Sequence, residues 1–246
     1  MGIWAGARAG TRALRAAGSV AIELVARIVR LPTALLTLCG VAGSRSVYLR
    51  VLILRRADGT PLATPEQVLP AIGRAGDFLR CAANLELRPS GDVFVATANE
   101  CGDGVPERAL CQRRGGAALR DYLASPGGFL DRMIRRYHPQ AGFPRGLVVT
   151  PITCFIVDDL DGLRGNAIPV IGNWFAVCAR GLAPVPSAEG EPEPPSIIAH
   201  EVGHCLGLYA HRDDPRNLMH APDVRGAALT RWQRMVARSG RCVSIW

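Results

Sequence analysis

The tightest restriction on this chain lies in the stretch Ser196-Ile197-Ile198-Ala199-His200-Glu201-Val202-Gly203-His204-Cys205-Leu206-Gly207. Two histidines four residues apart, with a glutamate directly after the first, form a usable constellation only on an α-helix. There, positions i and i+4 share one face, so both imidazoles can grip a single ion. Glu201 is rotated ~100° from His200, where it can reach a water on that ion without ligating it. Ser196 is a good N-cap, and a helix to about Leu208 is predicted. Any fold for this chain must therefore present one well-supported helix with a face open to a ligand.

Residues beyond the helix narrow the possibilities. Gly207 comes three residues after His204, where glycine lets a chain leave a helix in a left-handed conformation. His211 comes next, then Asn217-Leu218-Met219 before the Pro222-Asp223 turn. The stretch resembles the metzincin clan of zinc endopeptidases, whose pattern is H-E-x-x-H-x-x-G-x-x-H followed by a methionine turn. On that resemblance His200 and His204 are the first two zinc ligands, Glu201 is the general base, and Met219 is the hydrophobic floor beneath the histidines. The pattern's third histidine falls on Ala210, and the histidine here stands one later. Either a one-residue insertion in Leu208-Tyr209-Ala210 leaves His211 as third ligand, or Asp213 or Asp214 takes that place. The short spacing from His211 to Met219, with Pro215 midway, resembles matrix-metalloproteinase-like members and favours His211.

The resemblance implies an α/β (α+β) zincin-like fold: a mixed twisted sheet, an active-site helix, and a small C-terminal subdomain ending in a helix. It implies one catalytic Zn2+ and hydrolysis of peptide bonds by a zinc-activated water, with a peptide or protein substrate. In the family, the position of the strand around Trp174 to Val177 is the sheet edge that pairs with substrate. Two rivals stand beside this reading: a non-catalytic zincin-like binding domain, and a zinc hydrolase of small amides.

Composition and charge set the remaining bounds. The 246 residues are 48% hydrophobic and 20% charged, an ordinary globular balance, and the net charge is +8. Residues 1–56 hold nine arginines and one acid, Glu23, while residues 57–246 hold twenty arginines and twenty acids. The body is neutral, which argues against nucleic acid as a partner. There is no lysine. The eight cysteines form no CxxC pair, so a structural zinc knuckle is not expected. Their even number suits disulfides, with Cys101–Cys111 closing a loop and Cys205 a candidate partner of Cys242, or they are reduced core residues.

The chain divides at about residue 46 into an N-terminal basic and apolar segment (1–46) and a catalytic domain (47–246), expected to be a monomer. The first segment has three readings. The uncharged run Leu31 to Gly43 has the length of a signal-peptide apolar region, which would make the body secreted or extracytoplasmic. An arginine-rich amphipathic helix would lie on an anionic membrane surface. An ordinary helix would pack on the domain. From Val47 the pattern is strand (47–54), then a helix capped by Thr64 with Pro65 at its first position and ending near Cys81. Two further strands are predicted at Leu85–Arg88 and Val93–Val95, and a buried or edge strand at 147–157. A proline-rich loop spans 181–195. The last helix, Arg231–Arg238, is capped by Thr230 with Trp232 and Val236 facing inward.

Overall fold

The structure is a computed structural model that describes residues 17–18, 20–40, 43–56, 58–96, 133–134, 151–167, 173–183, 197–221 and 226–244. The Cys101–Cys111 loop, the Ser196 cap and most of the 181–195 loop lie outside these residues. Helix α1 covers residues 20–29 and α2 covers Leu31–Leu38. They are followed by β1 (Arg45–Leu54), α3 (Pro65–Ala83), β2 (Leu85–Ala96), β3 (Ile152–Val157), β4 (Gly165–Ala167) and β5 (Trp174–Cys178). A 3-10 turn (Ala179–Leu182), α4 (Ile197–Cys205) and α5 (Arg231–Ser239) come next among the described residues.

The protein is a mixed α/β unit around a five-stranded sheet of order β2-β1-β3-β5-β4. All neighbours pair in parallel except β4, which lies antiparallel to β5 at one edge. Parallel strands need a crossover, and α3 supplies the one between β1 and β2. Thr64 and Gln67 form a capping box at its start, and Asn84 ends it in a left-handed conformation at φ 52. Strands buried on both faces read as continuous apolar runs, and β3 (ITCFIV) and β5 (WFAVC) are buried throughout. Phe155 and Trp174 meet edge to face at 5.7 Å between them.

Two expectations about the sheet are corrected, and a third is decided between its alternatives. The strand around Trp174 is not an edge: β5 is paired on both sides, and the edge is the short β4. Of the buried and edge readings for the strand predicted at 147–157, the described part, Ile152–Val157, takes the buried one, with Pro151 just ahead of its first paired residue, where a missing N–H costs nothing. Leu85–Arg88 and Val93–Val95 are one strand, β2. The Pro89-Ser90-Gly91-Asp92 stretch, which resembles a turn, is absorbed as an irregularity where the register jumps from Leu49↔Pro89 to Val51↔Val93. Both halves keep hydrogen bonding to β1, so the chain never reverses.

Helix α2 packs on α5, and the C-terminal segment pairs with the start of β1 through a Val47↔Val243 bridge. Helix α5 carries Arg238, 2% exposed, whose guanidinium donates to the carbonyls of Ala83 (2.8 Å), Asn84 (2.9 Å) and Gly43 (2.6 Å). The side chain thereby caps the end of α3 at Ala83 O and adds a donor to Asn84 O, which also accepts from Arg45 N–H. Burial, with Arg45 nearby, lowers its pKa to about 10. Of the two residues expected to face inward, Val236 packs against the core but Trp232 is 62% exposed, and the buried face of α5 is Gln233, Met235, Ala237, Arg238 and Ser239. An arginine outranks the indole because its guanidinium reaches three backbone carbonyls at once. The six described cysteines are free thiols, so Cys205 is not bonded to Cys242. Burial raises both thiols, Cys242 to about 12.

Replacing Arg238 with methionine keeps much of the volume but removes the guanidinium donors from the Ala83, Asn84 and Gly43 carbonyls. Stability to urea should fall by about 3 kcal/mol without loss of helix content by circular dichroism.

Candidate metal centre

Helix α4 is buried along almost its whole length: Ile197 to His204 are all inside, including His200 (3%), Glu201 (3%) and His204 (9%). It ends in a Schellman turn. Leu208 N–H donates to Gly203 O (3.0 Å), Gly207 N–H donates to His204 O (3.0 Å), and Gly207 takes φ +98. The helix thus stops at Cys205, short of the predicted end near Leu208, and the turn sends the chain back across the histidine face.

On that face the structure brings together His200, His204 and His211. His204 Nε2 is 3.2 Å from His200 Nε2 and 3.2 Å from His211 Nε2. The three form the one cluster of this kind among the described residues, with ligand atoms within 4.8 Å of one another. His200 and His211 rings stack at 5.3 Å, and His204 meets each of them edge-on. The displaced register is therefore absorbed in the turn, where Ala210 and His211 are both exposed but His211 brings its Nε2 to the cluster. Asp213 and Asp214 are exposed and outside the cluster. Asp214 instead holds the Arg216 guanidinium at 3.1 Å, and that hydrogen bond lowers its pKa.

The orientation of the two helical imidazoles is set by backbone. His200 Nδ1 lies 2.8 Å from Leu218 O and His204 Nδ1 lies 2.8 Å from Leu208 O. A carbonyl only accepts, so both Nδ1 atoms carry the proton and both Nε2 lone pairs point at the common space. The donor set suits zinc. An ion with Zn–N bonds of about 2.0–2.1 Å at tetrahedral angles spaces its ligand atoms about 3.3 Å apart, close to the 3.2 Å separations seen here.

Leu208 O belongs to the Schellman turn, and Leu218 O to the Met219 turn. Asn217 makes the latter: its Oδ1 accepts from Met219 N–H (2.9 Å), while its Nδ2 donates to Gln233 Oε1 (2.9 Å). Gln233 Nε2 returns a bond to Asn217 Oδ1, and Gln233 also closes the capping box with Thr230 at the start of α5. Arg212 N–H donates to Met219 O (2.9 Å) and His220 Nδ1 to Arg212 O (2.8 Å), lacing the His211 loop to the methionine turn. The Met219 side chain is fully buried, and a Cβ on Gly203 would lie 2.7 Å from its Sδ. The sulfur rests directly on the helix.

Cys205 points away from the cluster, its Sγ 3.8 Å from Trp174 O. Tyr209 is half-exposed; partial burial raises its phenol, and it bonds to Arg27. Four contributors carry no sequence signal of their role. Gly203 and Gly165 matter for what they lack: a Cβ on Gly165, in edge strand β4, would fall 2.6 Å from Glu201 Oε1. Gln233 acts through a residue sixteen positions away. Arg27, legible only as a helix partner of Glu23, donates to Leu206 O (3.2 Å) and to Val236 O (3.2 Å), so α1 clasps the exits of α4 and α5.

Gly203→Ala should drive the Met219 sulfur off the helix and cost about 1–3 kcal/mol in chemical denaturation. Gln233→Leu should weaken zinc binding about 10- to 100-fold in a competitive chelator titration, since it loosens Leu218 O without touching a ligand.

No protein-family model and no curated protein matches the chain. Among solved structures, it is similar to a zinc-dependent peptidase from Methanocorpusculum labreanum (strain Z), at 18% identity and TM-score 0.44, covering 77% of this chain and 99% of that one. It is also similar to metalloproteinase-II from Bacteroides fragilis, at 15% identity and TM-score 0.42, covering 78% of this chain and 53% of that one.

Proposed function

We propose that this chain is a zinc-dependent endopeptidase of metzincin-like type, with His200, His204 and His211 holding one ion and Glu201 as general base. The observation that carries this reading is the convergence of three imidazole Nε2 atoms, two of them locked by carbonyls, beside a buried glutamate. When bound, zinc supplies a Lewis acid that polarises a carbonyl and makes water acidic near neutral pH.

The chain's own residues do the rest. Glu201 takes the proton of the attacking water on its carboxylate and passes it to the departing amine. Its carboxylate has room because Gly165 carries no side chain. Strand β4 lies antiparallel at the sheet edge and packs against α4, which suits an extended peptide adding a strand beside the site. Backbone pairing of that kind recognises a polypeptide rather than a small amide. Met219 serves as an apolar floor and ligates nothing.

Metal content and cleavage of casein or a peptide library test the assignment. Glu201→Ala should keep its zinc while kcat/KM falls at least about 100-fold. His211→Ala should lose both zinc and activity. Unchanged cleavage by Glu201→Ala would sink the mechanism, and full zinc in His211→Ala would remove that residue from the metal.

A further inference from the structure

Helices α1 and α2 are inside-out. Between Val20 and Gly40 the only charged residues are Glu23, Arg27 and Arg30, and all three face the body. Glu23 is 8% exposed and pairs with Arg27 (2.7 Å) and Arg241 (3.4 Å). Arg30 is 3% exposed and donates to Gly240 O. The apolar side chains face outward: Leu24 is 60% exposed, Ile28 63% and Val29 67%, with Val25, Leu31 and Leu35 each about half-exposed. Nine of the twelve exposed large apolar residues among the described residues fall between Val20 and Leu36. A soluble surface helix has the opposite polarity, and single exposed leucines are common whereas a contiguous patch marks an interaction site.

The occupant must accept an apolar face without charge and tolerate cations beside it. Residues 1–16, just ahead of α1, hold Arg8, Arg12 and Arg15 and no acid. No described helix is long and apolar enough to cross a membrane, and the inward-facing charges bind α1 to the body. We infer that the outer face of α1 and α2 is a docking surface for an anionic lipid bilayer, lying in the plane of the interface, and that the cationic sequence ahead of α1 favours anionic headgroups. Protein partners that cover apolar faces do not call for an uncharged patch flanked by cations alone, whereas acyl chains beneath phosphate headgroups do.

Vesicle flotation of the zinc-loaded full chain tests this. The protein should float with phosphatidylcholine–phosphatidylglycerol vesicles and much less with phosphatidylcholine alone. Leu24→Gln/Ile28→Gln/Leu35→Gln, which leaves every inward contact in place, should reduce partitioning about tenfold or more with unchanged zinc content and melting temperature. Arg8→Gln/Arg12→Gln/Arg15→Gln should abolish the preference for the anionic vesicles. The inference is overturned if wild type floats with neither vesicle, or if the apolar variant floats as well as wild type. It is equally overturned if sedimentation shows a dimer that the apolar variant dissociates while vesicles capture none of it, which would make a second copy the occupant.

Discussion

Two hydrogen bonds, from His200 Nδ1 to Leu218 O and from His204 Nδ1 to Leu208 O, are what the rest of the site depends on. An imidazole on a helix can rotate and can carry its proton on either nitrogen. Tying Nδ1 to a carbonyl removes both freedoms and leaves one basic nitrogen aimed at one place. The requirement then passes outward. Leu208 O is placed by the Schellman turn at Gly207, Leu218 O by the Asn217 turn, and that turn by Gln233 on a helix from another part of the chain. The sheet contributes by burying α4 so thoroughly that its histidine face cannot roll.

The fold and the site are legible in the sequence to the extent that each signal is local. The helix face of His200, Glu201 and His204, the Thr64–Pro65 start of α3 and the Thr230 cap of α5 are set within a few residues, and each stands where its spacing predicts. His211 is legible with an alternative attached, because a turn absorbs an extra residue where a helix cannot. Position within the sheet is not legible in this way. Edge and centre are decided by pairings across many residues of chain, so β5 and the 147–157 strand read alike, and the Pro89–Asp92 irregularity looks like a reversal. The inward Arg238 and outward Trp232 cannot be read from α5 alone, because the carbonyls that Arg238 serves belong to distant residues.

Those carbonyls also give the lysine-free composition a structural use. Arg27 reaches Leu206 and Val236, Arg74 reaches Leu182, Arg164 reaches Gly181 and Ala183, and Arg238 reaches Gly43, Ala83 and Asn84. A guanidinium offers five donors in a rigid plane, so one side chain can close several helix ends or turns at once. An ammonium on a flexible stem would hold fewer and hold them less firmly. The fold is clamped at its joints by cations whose partners are backbone carbonyls, with Arg27 pairing to Glu23 as well.

The Asn217–Gln233 pair also orders the events of synthesis. His200, Glu201 and His204 leave the ribosome before Gln233 exists to hold the turn that supplies Leu218 O. A nascent chain therefore carries the histidine helix for a time without the turn that orients its imidazoles. Domains fold as units once their last contributing elements arrive, so the alignment of these imidazoles waits for α5, and the site and the body of the domain are completed together.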